Sequence, residues 1–412
     1  MTRAGSGRSS PRRRPVPPAD RSLVAADRLR VRLAAIEPLA VLHPERVVVV
    51  RAPGRVNLMG DHTDYNDGLA LPAAIDLEIR IALVPTEDRH VELTLDASGQ
   101  RAVFDLDAIG ERRRTFVDYI AGTAWAMQEA GLPTRGFRGL LASSLPTGAS
   151  LSSSAALELA SAWAFSPAPG PAIDPVALAL VCQRAENAYV GVNCGLLDQF
   201  SSACGRADRA VLLDCRSLAH EEVVLPLHDN ALVVCHSGSP RRLESSEYNA
   251  RRAQCERAVE VIAAGGYPVR ALRDVTPDML PAVRPLLDEE TYRRCEHVVL
   301  EDERVVATIA ALEAGDLEAL GRLFAESHAS LRDLYEVSSP ELDALVDIAT
   351  GVEGVVAARM TGGGFGGCTV NIVRRDAVDA LSDAVRTRYP GRTGLTPRVF
   401  VVEPADGAGI AD

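Results

Sequence analysis

Three turns rich in glycine or serine mark this chain, and each adjoins a short apolar segment typical of a strand or a helix. They lie at residues 51–68, 146–156 and 359–370. Turns of this composition let the backbone approach a bound group closely and supply amide and hydroxyl donors. Each turn alone is weak evidence, but the three together predict one site for a phosphate group and a sugar.

The basic residues narrow the ways in which this chain could bind phosphate. All 44 of them are arginine. The absence of lysine excludes a Walker A loop, the strand lysine of protein kinases and every Schiff-base mechanism. The net charge of −12 argues against a general nucleic-acid binder, which needs a broad basic face. If the protein handles ATP, then backbone amides, hydroxyl groups, arginine and a metal ion must hold the phosphates.

Length and composition indicate a globular protein with two or three domains. The chain has 412 residues, of which 47% are hydrophobic. No apolar run approaches the roughly 18 to 20 residues that span a bilayer, and no secretory signal is recognisable. We therefore expect a cytoplasmic protein without a membrane partner. The eight cysteines form no Cys-x-x-Cys pair, so we predict neither a zinc knuckle nor a redox dithiol.

The pattern along the chain predicts four segments. Residues 1–22, rich in Arg, Pro and Ser, are expected to be a disordered tail, with an anionic-surface tether as the less favoured alternative. Residues 23–220 form a first lobe, residues 221–404 a second lobe and residues 405–412 a flexible tail. Apolar periodicity and capping signals predict the regular elements. Expected strands include 47–50, 78–84, 90–95, 209–213, 232–235 and 398–402, and expected helices include 23–40, 116–131, 174–189, 245–264, 297–314 and 316–334.

The glycine run at 362–367 contains five glycines in six positions. Gly362, Gly364 and Gly367 match Gly-x-Gly-x-x-Gly, but that fingerprint requires a following helix. The segment Cys368–Val373 is instead rich in β-branched residues and strand-like. We therefore predict a hairpin loop. Because an ordinary hairpin needs fewer glycines, close packing against another phosphate-binding segment is the favoured interpretation.

The serine run precedes a strong helix-forming segment that begins at Ala155. Ser152, Ser153 and Ser154 should therefore lie at a helix N-terminus, where free amides and the helix dipole bind phosphate. Their hydroxyl groups can add hydrogen bonds or a magnesium ligand. Simple helix capping is the alternative, but capping requires only one serine.

The first turn carries several charged side chains directly after an apolar strand. Asp61, His62, Asp64 and Asp67 follow Arg55 within a short stretch. An EF-hand does not fit, because the twelfth position counted from Asp64 is not glutamate. Carboxylates at this spacing can accept hydrogen bonds from several hydroxyl groups of one polyol. We interpret the turn as part of a sugar pocket; a solvated turn is the alternative.

The segment Gly54-Arg-Val-Asn-Leu-Met-Gly-Asp-His-Thr-Asp-Tyr65 closely resembles the signature of galactokinases. These enzymes are the sugar branch of a superfamily of small-molecule kinases that includes homoserine, mevalonate and phosphomevalonate kinases. The resemblance extends from about Arg51 to Val402. It implies a mixed α+β fold with two lobes, an N-terminal α/β lobe with a left-handed crossover and a C-terminal ferredoxin-like lobe. Further similar stretches are 183–186, 194–200, 246–252 and 326–333.

The resemblance also implies an activity, the ATP-dependent phosphorylation of the C1 hydroxyl of α-D-galactose. Asp198 would be the candidate base, with Arg55 beside it. The partners of the protein would be a small-molecule sugar and ATP, and its metal would be Mg²⁺. The chain would be a monomer or a weak homo-oligomer.

The remaining site residues are carried over from the same resemblance. Those expected to hold the sugar are Asp61, His62, Asp64, Gly195 and Tyr248. Those expected to bind ATP are Pro146, Gly148, Ser150, Ser152, Ser153, Ser154, Gly362, Gly363 and Gly364. The expected metal ligands are one of Ser153 or Ser154, together with Glu186.

Three positions differ from the usual pattern of the family. Asp61 replaces a glutamate, Ser150 replaces a glycine, and His236-Ser237 with Arg241 replaces the common Asp-Thr followed by His. We expect Ser150 to have a negative φ, as a non-glycine residue normally does. The differences leave two alternatives open: a kinase for another sugar, such as N-acetylgalactosamine or arabinose, or a non-catalytic sensor of galactose and ATP.

Overall fold

The computed structural model describes residues 21–146, 148–167, 173–239 and 244–411. Most of the predicted N-terminal tail, residues 1–20, lies outside the described residues. The strands are β1 (Val48–Met59), β2 (Leu69–Pro85), β3 (His90–Leu95), β4 (Arg101–Asp105), β5 (Phe137–Ser143), β6 (Arg209–Asp214), β7 (His220–Val224), β8 (Asn230–His236), β9 (Val355–Thr361), β10 (Cys368–Arg374), β11 (Arg398–Val402) and β12 (Gly409–Ile410).

Helices occur in both lobes. They are α1 (Ala26–Ala34), α2 (Pro38–Leu42), α3 (Val117–Glu129), α4 (Ser153–Phe165), α5 (Pro175–Arg184), α6 (Leu197–Cys204), α7 (Glu244–Ala264), α8 (Leu280–Val283), α9 (Glu289–Ala314), α10 (Leu317–Asp333), α11 (Pro340–Thr350) and α12 (Val378–Thr393). A π-helical turn, Ala185–Val190, continues α5. None of the helices in the described ranges is long and apolar enough to cross a membrane.

The predicted helix over 23–40 is wrong as a single element. It is divided into a 3₁₀ turn, Arg21–Val24, and the helices α1 and α2. Proline lacks the amide that a helix interior needs, so Pro38 begins a new helix. The carboxylate of Glu37 caps that helix by accepting a hydrogen bond from the Leu39 amide at 2.9 Å.

The first sheet is formed by β1–β7 and β12. Its strand order is β12-β1-β2-β5-β3-β4, with β6 paired to β2 and β7 paired to β6. Helices α4 and α6 pack on β1, and α3 packs on α4. The long hairpin of β1 and β2 runs through the centre of this lobe and carries Arg55.

The second sheet is antiparallel and has the strand order β11-β8-β10-β9. Along the chain, helices α7–α11 lie between β8 and β9, and α12 connects β10 to β11. This is the arrangement of a ferredoxin-like lobe, as predicted. The predicted hairpin around the glycine run is also confirmed, since β9 and β10 are antiparallel neighbours joined by residues 362–367. The chain passes from the first sheet to the second between Val224 and Asn230, and the division into lobes near residue 220 stays a prediction.

The two sheets meet at the ends of β1 and β9. The Asn57 amide donates to Thr361 Oγ1 at 2.8 Å, and the same hydroxyl donates to the Asn57 carbonyl at 3.0 Å. Two residues earlier on β9, Arg359 Nη1 donates to the Leu58 carbonyl at 2.8 Å. Successive side chains of a strand alternate between its faces, so Arg359 and Thr361 reach the first lobe together.

The C-terminal segment is not the flexible tail that its small residues indicate. Strand β12 pairs with β1 through Val50 and Ile410, and the Ala411 amide donates to the Val49 carbonyl at 2.7 Å. The Ala408 amide donates to the Ser202 carbonyl at 2.8 Å. An edge of the first sheet therefore orders residues 405–411, because it offers them unpaired backbone groups.

Truncation after Pro404 should destabilise the protein by about 2 kcal/mol. Each lost backbone hydrogen bond contributes about 0.5–1.5 kcal/mol, and the freed chain entropy offsets part of the sum. Thermal unfolding measured by circular dichroism should show a lower midpoint for residues 1–404 than for the full chain. Deletion of Asp412 alone is the control; equal midpoints for all three proteins would contradict the role of β12.

Candidate active site

A cleft of about 560 Å³ lies between the two lobes and brings the three turns together. Every predicted site residue lines this cleft except two. Pro146 lies outside the lining, and Gly364 instead packs against the Val337 carbonyl, where a Cβ atom would be only 2.2 Å away. Thr147, between the predicted ATP-binding residues, lies outside the described residues.

Arg55 and Asp198 form an ion pair within the cleft. Arg55 Nη2 lies 2.6 Å from Asp198 Oδ1, and the exposed fractions of the two side chains are 5% and 30%. Arg55 Nη1 also donates to the Ser150 carbonyl at 2.6 Å. Asp198 lies in the first turn of α6, where the helix dipole favours a negative charge. The pair therefore presents a carboxylate to the cleft beside a fixed positive charge.

The serine run lies at the N-terminus of α4, as predicted. Ser152 is the capping residue, but its side chain makes no capping hydrogen bond. The Oγ atoms of Ser150 and Ser152 are buried and have no hydrogen-bond partner within the described part of the chain. Buried hydroxyl groups normally have partners. Together with the free amides of the first helical turn, these hydroxyls fit an anion such as phosphate.

The prediction of a negative φ at Ser150 is wrong. Ser150 has a φ of 59° and Ser152 a φ of 58°, so both are left-handed. Both serines adopt a backbone conformation that glycine would adopt freely, and because they carry a side chain it costs about 1–3 kcal/mol for each residue. This strain aims the loop at the cleft, and Gly362 packs against Ser150, whose carbonyl would lie 3.0 Å from a Cβ atom at position 362.

Glu186 reaches the cleft from the π-helical turn. Its carboxylate accepts hydrogen bonds from Ser154, from Gln199 Nε2 at 2.6 Å and from the Cys194 thiol at 3.5 Å. Burial, with the charge of Asp198 added, raises the pKa of Glu186 to about 7. The helix predicted to extend through Tyr189 is α-helical only to Arg184, and its last turn is the π-helical turn. Turns of this kind are frequent at functional sites.

The donors around Glu186 fit a magnesium ion shared with a nucleotide. No group of three or more His, Cys, Asp or Glu side chains able to hold a metal occurs within the described ranges. Mg²⁺ typically binds one or two carboxylates together with substrate phosphates, so one glutamate and a serine hydroxyl suffice.

The opposite end of the cleft is lined by the predicted sugar residues. Asp64 accepts hydrogen bonds from the amides of Leu197 and Tyr65, and burial, with the charge of Asp198 added, raises its pKa to about 6. Gly195 packs against this carboxylate so closely that a Cβ atom would lie 1.8 Å from Asp64 Oδ2. Any side chain at position 195 would therefore displace Asp64.

His62 lies in a cluster of aromatic rings. Its Nδ1 is 2.8 Å from the Tyr65 hydroxyl, and its ring centroid is 5.6 Å from that of Tyr248. Burial lowers the pKa of His62 to about 3, so the ring is neutral at pH 7. Its Nε2 is buried with no hydrogen-bond partner among the described residues. The ring can therefore exchange a hydrogen bond with a ligand hydroxyl.

Asp61 is held by the protein at both carboxylate oxygens. Oδ1 accepts from Asn57 Nδ2 at 2.9 Å and from the Gly362 amide at 3.2 Å, and Oδ2 pairs with Arg359 Nη2. Arg359 is fully buried and lies 3.6 Å from Glu301 Oε1. Asp61 thus lines the cleft while it joins the first turn to the glycine run.

Glu301 completes this buried network from helix α9. It accepts from the Gly60 amide at 3.1 Å, from the Ser327 hydroxyl at 2.8 Å and from Arg304 Nε at 2.7 Å. Although burial alone would raise the pKa of Glu301, Arg304 and Arg359 lower it below its ordinary value. The network therefore fixes the turn at Gly60 and Asp61 with ionised groups.

Sequence reasoning missed several residues around the cleft. Arg359 stands in the third turn but was given no role, although strand alternation would place it on the same face as Thr361. Glu158 could also have been recognised from the sequence, because it is an acidic residue in a segment whose other residues are apolar or small. The other missed residues are Asn57, Cys194, Gln199, His297 and Glu301.

Comparison with known families agrees with this geometry. Residues 42–85 match the galactokinase galactose-binding signature, residues 118–206 match the GHMP kinases N terminal domain, and residues 308–391 match the GHMP kinases C terminal family. The fold also resembles that of Methanococcus jannaschii mevalonate kinase, with a TM-score of 0.63 and 17% identity over 87% of this chain and 99% of that one. The protein is therefore a small-molecule kinase of the GHMP class.

Closer relatives define the branch within this class. A galactokinase of Roseiflexus sp. (strain RS-1) is 45% identical over 89% of this chain and 93% of its own length. A galactokinase of Chloroflexus aurantiacus is 44% identical over 88% of this chain and 93% of its own length. The structure of Lactococcus lactis galactokinase complexed with galactose has a TM-score of 0.86 and 34% identity, covering 92% of this chain and 99% of that one. The chain belongs to the galactokinase family.

Replacement of Glu301 by glutamine should destabilise the protein by about 3 kcal/mol at pH 7, because it leaves Arg359 and Arg304 short of a buried counter-charge. The folded pKa of Glu301 lies below its ordinary value of 4.5. Its stabilising contribution is therefore complete above about pH 5 and is lost as the pH falls toward the folded pKa. Urea unfolding at pH 7 and pH 4 should show a smaller acid-induced loss for Glu301→Gln than for the wild type.

The matched control is Glu318→Gln, which removes an exposed partner of Arg322. Exposed pairs contribute little, so this variant should behave like the wild type at both pH values. Equal stability of Glu301→Gln and Glu318→Gln would contradict the buried network's role.

Proposed function

We propose that the protein transfers the γ-phosphoryl group of ATP to the C1 hydroxyl of α-D-galactose, forming galactose 1-phosphate and ADP. The observation that carries this proposal is the 2.6 Å contact of Arg55 with Asp198 between a phosphate-type loop and a polar turn. Phosphoryl transfer requires positioning and charge neutralisation more than covalent chemistry. A lysine is therefore not required.

Asp198 has the properties of the base in this reaction. It accepts a proton from the attacking hydroxyl, before or during the transfer, and Arg55 holds the carboxylate in place through their ion pair. The guanidinium also lies beside the path of the transferring phosphoryl group and offsets its negative charge. Because Arg55 contacts the Ser150 carbonyl as well, a single side chain aligns the base with the phosphate loop.

The phosphates of ATP occupy the N-terminus of α4 in this proposal. The partnerless hydroxyls of Ser150 and Ser152 and the free amides of the first helical turn donate to phosphate oxygens. Gly362 and Gly363 cover the loop from the second lobe, and Gly148 lines the same part of the cleft. Pro146 and Gly364 shape the neighbouring turns without reaching the cleft.

The sugar hydroxyls are held at the other end. Asp64 accepts from the sugar, Gly195 leaves room for that carboxylate, and His62 Nε2 and Tyr248 complete the pocket. These donors and acceptors converge from both lobes, as specific recognition of a polyol requires.

Glu186, with one of Ser153 or Ser154, would hold Mg²⁺. When bound there, the ion neutralises charge on the β- and γ-phosphates. The remaining work is done by this chain's own groups: Ser154 and Gln199 orient the Glu186 carboxylate, and the buried walls around it exclude water.

A kinase for a related sugar is the second candidate. Both oxygens of Asp61 are taken by Asn57, Gly362 and Arg359, so its capacity to bind a further sugar hydroxyl is reduced. The resemblance to galactokinases implies that this position faces the end of the sugar that carries C6, and arabinose lacks that carbon. The structure thus supports testing sugars that differ there.

The direct test is ADP release coupled to NADH oxidation, with ATP, Mg²⁺ and a panel of galactose, N-acetylgalactosamine and arabinose. We expect the highest kcat/KM with galactose and negligible ADP release without sugar. A higher kcat/KM for another sugar would identify that sugar, and not galactose, as the substrate. Binding of galactose and ATP without turnover would instead identify a sensor.

Asp198→Asn should lower kcat by about 10²–10⁴-fold, the usual range for loss of a general base. Galactose affinity, measured by isothermal titration calorimetry, should change only a few-fold, because Asp64 and His62 remain. The matched control is Asp208→Asn, which alters an exposed aspartate in a left-handed conformation that asparagine also adopts. Substantial activity of Asp198→Asn would remove Asp198 from the role of base.

A further inference from the structure

Glu158 is a buried acidic residue that the mechanism above does not use. It lies on α4, whose other residues are apolar or small, and its exposed fraction is 0%. It does not line the cleft, whereas Ser153 and Ser154, at the start of the same helix, do. A charged or polar group at such a depth is costly unless it is paired.

One side chain connects Glu158 to the cleft. Gln199 Nε2 donates to Glu158 Oε2 at 3.0 Å and to Glu186 Oε2 at 2.6 Å. Gln199 is itself fully buried. An amide nitrogen carries two hydrogens, so both are used, one on each carboxyl group. Gln199 is therefore a bridge from a residue outside the cleft to the residue assigned to the metal.

The charge of Glu158 is not balanced by a neighbouring cation. No ion pair within the described ranges involves this residue, and its Oε1 atom has no hydrogen-bond partner there. Burial, and then the charge of Glu186, raises the pKa of Glu158 well above its ordinary value. Leucine would fill the same space at lower cost.

Glu186 has one oxygen fixed by this arrangement. Oε2 accepts from Gln199 and from the Cys194 thiol, while the carboxylate also accepts from Ser154. The orientation of the carboxylate therefore depends on the position of the Gln199 amide. That position depends in turn on an acceptor behind it, and Glu158 provides the acceptor.

We propose that Glu158 is a positioning residue for the metal site: through the Gln199 amide it holds the Glu186 carboxylate toward Ser154. The inference rests on the proposed function, since it assigns Glu186 to Mg²⁺. Without an acceptor at position 158, one N–H of Gln199 would be unpaired in a dry interior, and the amide would turn away from its place beside Glu186. Loss of such outer partners typically weakens metal binding about 10- to 100-fold.

The test measures binding of Mn²⁺, as a probe for Mg²⁺, to the full-length enzyme with ADP by electron paramagnetic resonance, which requires no turnover. Glu158→Leu should weaken Mn²⁺ binding about 10- to 100-fold. Glu158→Gln keeps an acceptor oxygen and should bind Mn²⁺ nearly as the wild type does. The concentration of Mg²⁺ for half-maximal activity should rise in Glu158→Leu and change little in Glu158→Gln, while the KM for galactose is unchanged in both variants.

Gln199→Met approaches the bridge from its other end and protects the test against misfolding of Glu158→Leu. It should weaken Mn²⁺ binding to a similar extent, and the double variant Glu158→Leu with Gln199→Met should bind no more weakly than either single variant. Ser161→Ala is the matched control, because it removes a buried hydroxyl without a described partner one turn further along α4. Wild-type Mn²⁺ affinity in Glu158→Leu and Gln199→Met, or an equal loss in Ser161→Ala, would overturn the proposal.

Glu186→Gln separates this inference from the proposed metal site. Weak Mn²⁺ binding in Glu186→Gln, with wild-type binding in Glu158→Leu, would overturn only the positioning role. Wild-type binding in Glu186→Gln would overturn the metal assignment and the inference together. Galactose-dependent ADP release by the wild type tests the reaction independently of both.

Discussion

The contact between Arg359 and Asp61 is the constraint on which the site depends. Arg359 belongs to the second sheet and Asp61 follows the central strand of the first, and both are almost completely buried. Because an unpaired charge at this depth is strongly destabilising, the two lobes must meet in one register. That register brings the glycine run against Ser150 and so defines the width of the cleft.

The balance of charge in the cleft explains why a lysine-free chain can bind a nucleotide there. Among the described lining residues, Arg55 is the one arginine, whereas four are acidic: Asp61, Asp64, Glu186 and Asp198. The raised pKa values of Asp64 and Glu186 reflect burial and, second, the charge of Asp198. Backbone amides and hydroxyl groups are therefore the groups of the serine loop that can accept a polyphosphate.

Local patterns in the sequence were sufficient for the three turns and most of the elements, whereas the resemblance to a family was needed to single out Asp198, Glu186 and Tyr248. Motifs such as the serine run before Ala155 carry their own physical meaning, which explains why they could be placed. Tertiary effects could not be read in the same way. The left-handed φ of Ser150 and the ordering of residues 405–411 by β1 both arise from contacts distant in sequence. The partners of Arg359 and Glu301 likewise depend on how two sheets dock.

The π-helical turn at Ala185–Val190 has a consequence for how this site could change over time. Such a turn accommodates one residue more than an α-helix of the same span, and each residue of an α-helix turns the chain by about 100°. Deletion of Ala185, at the start of this segment, would leave a regular helix yet rotate Glu186 by about 100° away from Ser154. Descendants of this sequence could therefore lose catalysis while they retain the fold.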